Sequence, residues 1–142
     1  MDQLKPLKYR RAKATDALNL WKLKNDEVVR ANAINHEVVL WQDHCRWFSS
    51  ALRNPHIKIW IIETQRGHFI GDVRIHDGEV SIRLTEQYRG KGIGGRAIAR
   101  FAAAGQTAKI LEHNAPSMKV FTENGFKVIS QENGIFTLKN EH

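Results

Sequence analysis

The sequence of 142 residues predicts an α+β protein (an α/β three-layer arrangement), in which a mixed central sheet of about six or seven strands carries helices on both faces. Short runs of alternating apolar and polar residues predict strands, and runs with apolar residues three or four positions apart predict helices. These segments follow the order β-α-α-β-β-β-α-β-α-β-β. The length, without a repeat, low-complexity tract or linker, predicts a single domain over residues 1–142.

The N-terminal part begins with a predicted strand and a predicted helix. Leu7 to Ala12 (LKYRRA) is typical of a strand, and Thr15 and Asp16 are candidates to cap the next helix. That helix is predicted from Ala17 to about Asn25, where apolar residues recur at loosely helical spacing. The segment from Val28 to Val39 is too polar in its middle for a strand, so we predict a short helix and loop that cover the functional site.

A further helix is predicted from Trp41 to Leu52, and Asn54-Pro55 ends it because the residue before proline disfavours helical geometry. Its apolar side chains at helical spacing are Trp41, Cys45, Phe48 and Leu52. Cys45, the single cysteine, is interpreted as a half-buried packing residue rather than a nucleophile.

Three strands in a row are predicted after this helix. His56 to Glu63 and His68 to Ile75 are rich in β-branched residues and joined by turn residues ending at Gly67. Asp77-Gly78 predicts another tight turn into the strand at Glu79 to Leu84. The result is an antiparallel meander that leads into a glycine-rich stretch.

The C-terminal third supplies the remaining elements. A helix is predicted through Arg96 to Phe101, followed by a strand at Thr107 to Leu111 and a helix at Pro116 to Asn124. Two last strands, Phe126 to Ser130 and Ile135 to Leu138, form a closing hairpin through Asn133-Gly134.

Charge and composition limit the function without deciding it. The formal net charge of +7 is compatible with nucleic acid, an anionic membrane or an anionic small ligand as partner. The sequence has no apolar run long enough to span a membrane, and its N-terminus lacks the apolar core of a signal peptide. A single cysteine excludes an intrachain disulfide, so we expect a cytoplasmic protein without a membrane partner.

The glycine-rich stretch predicts an anion site. Gly90, Gly92, Gly94 and Gly95 allow backbone N–H groups to turn toward one point where a helix begins. The unpaired amides and the helix dipole favour a negative charge there. Arg89, Lys91 and Arg96 add positive charge, so a diphosphate is the expected ligand.

Several kinds of protein use such a loop, and spacing separates them. Gly90, Gly92 and Gly95 fit the dinucleotide pattern G-x-G-x-x-G, with Glu112 near the expected acidic position. Too little chain follows Glu112 for the second half of a dinucleotide-binding sheet. The Gly-Lys-Ser/Thr of a P-loop is absent.

Two motifs together resemble the GCN5-related N-acetyltransferase (GNAT) superfamily. Arg89-Gly90-Lys91-Gly92-Ile93-Gly94 is similar to its Q/R-x-x-G-x-G/A signature, which binds the pyrophosphate of acetyl-CoA. The segment from Asn114 to Phe126 resembles the family's N-x-x-S…(Y/F)-x-x-x-G-F block. The order of predicted elements is also that of the GNAT fold.

The resemblance implies an acyltransferase with acetyl-CoA as cosubstrate and no metal. Main-chain groups around Ile82 and Leu84 would pair with pantetheine, because the two central strands separate in this family. The remaining implied cofactor-binding residues are Arg89, Gly90, Lys91, Gly92, Ile93, Gly94, Gly95, Asn114, Ser117 and Phe121. Many members have tyrosine where this chain has Phe121, which cannot donate a proton, so water or another donor must serve.

The general base is left open among four residues. A carboxylate or imidazole near the acceptor amine can serve directly or through water. Glu79, at the start of the central strand, is the first candidate, and Asp72, His76 and His36 are rivals. None of the seven histidines has H-E-x-x-H spacing, so no metal site is predicted.

The acceptor is predicted to be a small primary amine. Arg30, His44 and Trp47 resemble positions in acetyltransferases of nucleotide-linked 4-amino sugars, of the pseudaminic acid pathway type. Other branches acetylate protein N-termini or other small amines. A non-catalytic CoA-binding or nucleic-acid-binding module and an NAD-binding protein are the further alternatives. Nucleic acid is disfavoured because aromatic and basic residues do not interleave, and a homodimer through exposed sheet edges is implied by the resemblance only.

Overall fold

The computed structural model describes residues 5–141, and within them seven strands form one mixed sheet in the order β1-β2-β3-β4-β5-β7-β6. The strands are β1 Lys8–Arg11, β2 Ile57–Glu63, β3 Phe69–His76, β4 Glu79–Leu84, β5 Thr107–Leu111, β6 Phe126–Glu132 and β7 Ile135–Asn140. The helices are α1 Ala17–Asn25, α2 Glu27–Ala31, α3 Trp41–Arg53, α4 Ile93–Phe101 and α5 Ala115–Glu123. The α+β fold class is confirmed. The order of elements agrees with the prediction except that three helices rather than two, α1, α2 and α3, lie between β1 and β2.

Tight turns fix the antiparallel pairs. Asp77 and Gly78 have φ of 50° and 83° between β3 and β4, and Asn133 and Gly134 have φ of 52° and 76° between β6 and β7. Positive φ at both central residues is what a type I′ two-residue hairpin turn requires, and Asp-Gly and Asn-Gly tolerate it best. Both turns therefore follow directly from the sequence.

Helices cover both faces of the sheet, as predicted. On one face, α4 and α5 bury Ile93, Ala97, Ile98 and Phe121 against the sheet. On the other face, α1 and α3 bury Leu20, Phe48 and Ala51 against Ile57, Ile59 and Ile61 of β2. Strand side chains alternate between the two faces, so one short strand can contribute to both cores.

The buried face of α3 differs from the expected one. His44, Phe48 and Ala51 are buried, whereas Trp41 and Leu52 are 43% and 36% exposed. His44 stacks on Phe48 with ring centroids 5.7 Å apart, so the imidazole occupies a core position. The apolar pattern did not show this because histidine reads as polar in sequence.

Asp16 also has a different role from the expected one. It is the first residue before α1, but its side chain makes no hydrogen bond to the helix. Its carboxylate accepts two hydrogen bonds from Arg10 at 2.8 and 2.7 Å and one from the Lys13 N–H at 2.8 Å. Arg10 also contacts Glu63 at 3.1 Å. Asp16 therefore joins β1, α1 and β2 instead of capping the helix.

None of the helices within residues 5–141 combines the length and apolar character needed to cross a membrane.

Candidate active site

The sheet opens between β4 and β5. Strand β3 pairs with β4 from Gly71–Leu84 to His76–Glu79, but β4 and β5 share only the register pair Glu79–Thr107. Beyond Glu79, the main chain of β4 thus forms no ladder with β5. An extended ligand can add hydrogen bonds to such an open edge.

The glycine turn lies next to this opening. Gly90 and Gly92 have φ of 73° and 78°, and a β-carbon at either position would meet no atom within 4 Å. Gly92 precedes α4 and no side chain caps the helix. The first-turn amides of a helix have no partner within the helix, so an uncapped N-terminus fits an anionic group.

The next three residues of the turn contribute main chain rather than side chains. Ile93 is 3% exposed and its side chain belongs to the core. A β-carbon at Gly94 would lie 3.7 Å from Val120 and 3.9 Å from both Ile82 and Leu84, whereas one at Gly95 would meet nothing within 4 Å. Val120, which sequence reasoning missed, therefore faces the glycine turn from α5.

The three cations of the glycine stretch are placed differently. Arg89 contacts Asp26 at 2.8 Å and donates to the Leu84 carbonyl at 3.0 Å. Arg96 donates to the Lys5 carbonyl at 2.8 Å. Lys91 is exposed, with its ammonium 5.9 Å from the centre of the Tyr88 ring. Lys91 is thus the cation of this group with least structural constraint.

The second motif starts α5. The Asn114 side chain accepts a hydrogen bond from the Ser117 N–H at 3.3 Å and caps the helix, and Ser117 is half-buried. Phe121 is 2% exposed and packs edge-on against Phe126 at 5.0 Å. The structure therefore places Asn114 and Ser117 at the start of the helix and the Phe121 ring in the core.

Helix α2 crosses above the opening. At its start, Asp26 accepts a hydrogen bond from the Val29 N–H at 3.0 Å and pairs with Arg89, which follows β4. At its end, the His113 ring lies 3.2 Å from the Ala31 carbonyl and His113 follows β5. Burial raises the pKa of Asp26, but the hydrogen bonds from Val29 and Arg89 outweigh burial and hold that pKa below its usual value.

The predicted acceptor residues have different surroundings, although the His44 and Trp47 rings are neighbours with centroids 6.2 Å apart. Arg30 donates to the main-chain carbonyls of Asn25 at 3.2 Å and His36 at 3.4 Å, and His36 Nδ1 lies 2.8 Å from the Arg30 carbonyl. These two residues therefore shape their own loop. His44 is 1% exposed, so it reaches no open surface. Trp47 is half-buried and faces β3.

Three of the base candidates share one face of the sheet. Asp72 is paired with Arg83 and His76 with Glu79 across β3 and β4, and directly opposite residues point to the same side. Arg83 donates to the two oxygens of Asp72 at 3.0 and 2.8 Å, and the Asp72 side chain is fully buried. His76 is about half exposed, 3.5 Å from Asp77. Glu79 is half-buried where β4 and β5 separate.

Several cations on the same face were not predicted. Arg74 and Arg83 come from β3 and β4, and Lys24 reaches them from α1. Alternation in β3 puts Arg74 on the polar side of the strand, together with Asp72 and His76. Because α1 and α3 cover that side, Arg74 is half-buried.

A shallow depression of about 550 Å³ lies near the start of β3 and the end of β4, lined by Asn19, Phe69, Thr85, Glu86 and Gln87. It contains none of the predicted site residues. Across residues 5–141, no group of three or more His, Cys, Asp or Glu side chains is arranged to hold a metal ion.

Comparison with protein families identifies the family of the chain. Residues 7–127 match the model of the acetyltransferase (GNAT) domain. The chain therefore belongs to the GNAT family, and its prediction as an acyltransferase is confirmed. No curated protein sequence matches the chain significantly.

Solved structures share the fold at low sequence identity. A domain from Methanocaldococcus jannaschii DSM 2661 is 20% identical, with a TM-score of 0.79 over 94% of this chain and 96% of that one. The spermidine N-acetyltransferase from Vibrio cholerae, in complex with CoA and spermine, is 13% identical, with a TM-score of 0.82 over 94% and 92%. The yncA protein from Salmonella typhimurium, solved with its cofactor acetyl-CoA, is 18% identical, with a TM-score of 0.75 over 97% and 96%.

Proposed function

We propose that this protein transfers an acetyl group from acetyl-CoA to the primary amine of a small acceptor. The observation that carries the proposal is the open edge of β4 beside an uncapped, glycine-rich helix start. An open strand edge fits the amide-bearing pantetheine arm, and free amides at a helix N-terminus fit a diphosphate. The pantetheine arm and the diphosphate of acetyl-CoA thus have complementary groups in adjacent parts of the structure.

The cofactor site is formed mainly by main chain. The β4 main chain around Ile82 and Leu84 holds the pantetheine arm, and the amides from Gly90 to Gly95 hold the diphosphate. Lys91 adds charge from the exposed side of the turn, and Ser117 faces the arm from α5. Arg89 acts indirectly, since its contacts with Asp26 and Leu84 fix the loop against α2 and β4.

Glu79 is the proposed general base. It lies at the point where β4 and β5 separate, and no hydrogen bond or ion pair with another residue of the described chain occupies its carboxylate. An acceptor amine is protonated near neutral pH and must lose a proton before it attacks the thioester. A carboxylate at the apex of the opening can accept that proton directly or through one water.

The other base candidates fit supporting roles better. The buried Asp72 carboxylate is held by Arg83 and has no exposed surface, which suits a residue that positions Arg83. His76 lies directly opposite Glu79 and can relay a proton toward solvent. Since Phe121 is buried and has no hydroxyl, the thiolate leaves with a proton from water or without one, and a thiol pKa near 8.5 makes it a fair leaving group.

For the acceptor we propose a small amine, with a nucleotide-linked amino sugar as the first compound to test. The net charge of +7 supports an acceptor that carries phosphate groups. The Vibrio cholerae structure includes spermine, so polyamines form the second arm of the test.

Acetyl-CoA turnover, read as free thiol release, tests the proposal against UDP-linked 4-amino sugars, amino acids, polyamines and a peptide N-terminus. We expect release with one amine class, and loss of release in Gly92→Glu, because the new carboxylate would repel the diphosphate. Absence of release with every amine, together with no binding of acetyl-CoA, would contradict the proposal.

Glu79→Gln tests the base, and we expect kcat to fall about 100-fold at neutral pH, a typical loss for a general base. Activity should recover as the pH rises, since the amine then loses its proton without help. Glu132→Gln, an exposed position on β6, is the matched control. A Glu79→Gln enzyme with unchanged kcat would assign the base elsewhere.

A further inference from the structure

Positively charged side chains gather on the face of β3 and β4 that α1 and α3 cover. We propose that Arg74 and Lys24 bind an oxyanion of the acceptor, a carboxylate or phosphate close to its amine. This inference rests on the proposed transferase function and names the class of acceptor: a small anionic amine.

The geometry centres on Trp47. The Lys24 ammonium lies 4.1 Å from the centre of the Trp47 ring, and the Arg74 guanidinium carbon lies 5.2 Å from the same centre. Two cations near one aromatic ring are attracted to it and repel each other. An oxyanion that reached both side chains would reduce that repulsion and accept hydrogen bonds from each.

The local charges are not balanced. Arg83 is neutralised by Asp72 at 2.8 Å, but Arg74 and Lys24 form no hydrogen bond or ion pair with any residue between positions 5 and 141. Glu79 acts on Arg74 only through its charge. This face therefore carries three cations, Lys24, Arg74 and Arg83, but only two carboxylates, Asp72 and Glu79. Both of the unpaired cations are half-buried.

The pKa shifts of Lys24 and Arg74 agree with an excess of positive charge at this place. Burial, followed by the charges of Arg83 and Arg74, lowers the pKa of Lys24 to about 8. Burial, followed by the charge of Arg83, lowers the pKa of Arg74. Bound anions act in the opposite direction, so a ligand oxyanion would stabilise the charged forms.

His44, next to Trp47, adds no charge to this cluster. Its Nε2 donates to the Ala17 carbonyl at 3.0 Å, and its Nδ1 is buried without a hydrogen-bond partner. Burial, and next the charge of Lys24, lower its pKa. The imidazole is therefore neutral and leaves Arg74 and Lys24 as the groups that would bind an anion.

The register of the strands sets the size of the acceptor. Arg74 lies opposite Ser81, which is two residues from Glu79, so Arg74 and Glu79 are diagonal neighbours on one face. Such neighbours are roughly 7–8 Å apart. A molecule with its amine at Glu79 and its oxyanion at Arg74 therefore has the two groups separated by only a few bonds. A polyamine would instead bring positive charge toward Lys24 and Arg74.

Matched pairs of amines test this inference. Each amino acid is compared with its carboxamide, phosphoethanolamine with ethanolamine, and spermidine is included as a polycation. We expect kcat/KM to be at least about tenfold higher for the anionic member of the preferred pair, the effect of one charge-assisted contact. The carboxylate and phosphate pairs identify which oxyanion is used.

Arg74→Gln should remove this preference through a higher KM for the anionic amine. Arg53→Gln, an exposed arginine at the end of α3, is the matched control and should keep the preference. Equal turnover of both members of every pair, or a preference for spermidine, would overturn the inference while leaving the transferase function intact.

If no acceptor in the panel is turned over, anion binding tests the inference directly. Inorganic phosphate and acetate are titrated against the protein with its glycine turn saturated by coenzyme A, and tryptophan fluorescence is recorded. We expect a saturable change that is absent in Trp47→Phe and weakened at least about tenfold in Arg74→Gln. Equal affinity of wild type and Arg74→Gln for both anions would overturn the inference, whereas intact anion binding without any acetyl transfer would count only against the transferase function.

Discussion

Gly71 sets the distance between β3 and β4, because it lies opposite Leu84 and has no side chain. A β-carbon at Gly71 would overlap the main-chain carbonyl oxygen of Arg83. Main chain cannot move aside as a flexible side chain can, so we expect Gly71→Ala to lower the free energy of unfolding by roughly 2–3 kcal/mol. Urea denaturation measures the change.

Gly95→Ala is the matched control for this prediction. A β-carbon there would meet no atom within 4 Å, and the residue lies inside α4, where alanine is the better helix former. The control should be as stable as wild type or slightly more stable. If both substitutions cost the same, close approach of the two strands would not be the reason for glycine at position 71.

Lys24 predicts a dependence of stability on pH. Burial lowers its pKa to about 8 in the folded protein, against 10.5 for an ordinary lysine side chain, so between these pH values the unfolded chain binds more protons. The contribution of Lys24 to the free energy of unfolding therefore rises between about pH 8 and pH 10.5. It is lowest below pH 8, where Lys24 is charged in both the folded and the unfolded state. We expect Lys24→Met to be more stable than wild type at neutral pH and to lose this rise.

Chemical denaturation across this pH range tests the Lys24 prediction, with Lys58→Met on the exposed side of β2 as control. The difference between wild type and Lys24→Met should shrink as the pH rises, whereas the difference for the control should stay constant. A constant difference for both variants would show that burial does not disfavour the charged form of Lys24.

The residues of the site were predictable to different degrees. The glycines at positions 90, 92, 94 and 95 could be found because their chemistry lies in the absence of a side chain, which is visible in sequence. Arg74 and Lys24 could not be found in this way, because the role proposed for them depends on which helices cover one face of the sheet. Alternation shows that Arg74 shares the polar side of β3 with Asp72 and His76, but not that α3 places Trp47 over it.

At the scale of elements, α2 depends on one carboxylate at its start. Asp26 accepts from the Val29 N–H and pairs with Arg89, so a short helix is held both by its cap and by the glycine turn. We expect Asp26→Ala to lose both contacts, at about 1 kcal/mol for the cap alone, and to speed amide exchange over residues 27–39. Hydrogen–deuterium exchange measures the effect.

Asp26→Asn separates the two contacts, because its amide oxygen can still accept from Val29 while the ion pair with Arg89 is lost. Its exchange over residues 27–39 should be intermediate between wild type and Asp26→Ala. Unchanged exchange in Asp26→Ala would show that His113, at the other end of α2, is sufficient to hold the helix.

Hairpins were the best predicted elements, since Asp77-Gly78 and Asn133-Gly134 specify their turns locally. The orientation of α3 was predicted less well. Its buried stripe passes through His44, and whether a histidine is buried depends on a distant partner, here the Ala17 carbonyl. Local pattern defines where this helix begins and ends, whereas packing defines which side of it is buried.

At the scale of the whole molecule, a buried ion network predicts sensitivity to acid. Burial raises the pKa of Asp16, but hydrogen bonds from Arg10 and the Lys13 N–H outweigh burial and hold that pKa below 3.8. A lowered pKa gives stability that is present above pH 3.8 and is lost as the pH falls through the folded value. We expect Asp16→Asn to be roughly 2 kcal/mol less stable at neutral pH and less sensitive to acid.

Thermal unfolding as a function of pH tests this prediction. Asp43→Asn is the control, because its pair with Arg46 is exposed and such pairs contribute little. Equal losses in the two variants at neutral pH would contradict a special role for the network that joins β1, α1 and β2.

The overall topology was predictable because each strand and helix has a local signal and the connections are short. The opening in the sheet was implied only by the family resemblance. Alternation in β4 shows which side chains face each core, but it does not report whether main-chain groups find a partner strand. That information is carried by β5 and the elements around it, far along the chain.

The single register pair between β4 and β5 divides the protein into two pieces joined chiefly by side-chain packing. A cut in the exposed turn at Gly105 would leave β1–β4 with α4 on one fragment and β5–β7 with α5 on the other. Each fragment would keep its own hairpins, and the shared core would bring them together. An acetyl donor bound in the opening would add main-chain hydrogen bonds that the sheet lacks. The affinity of the two fragments for each other would therefore rise when the donor binds.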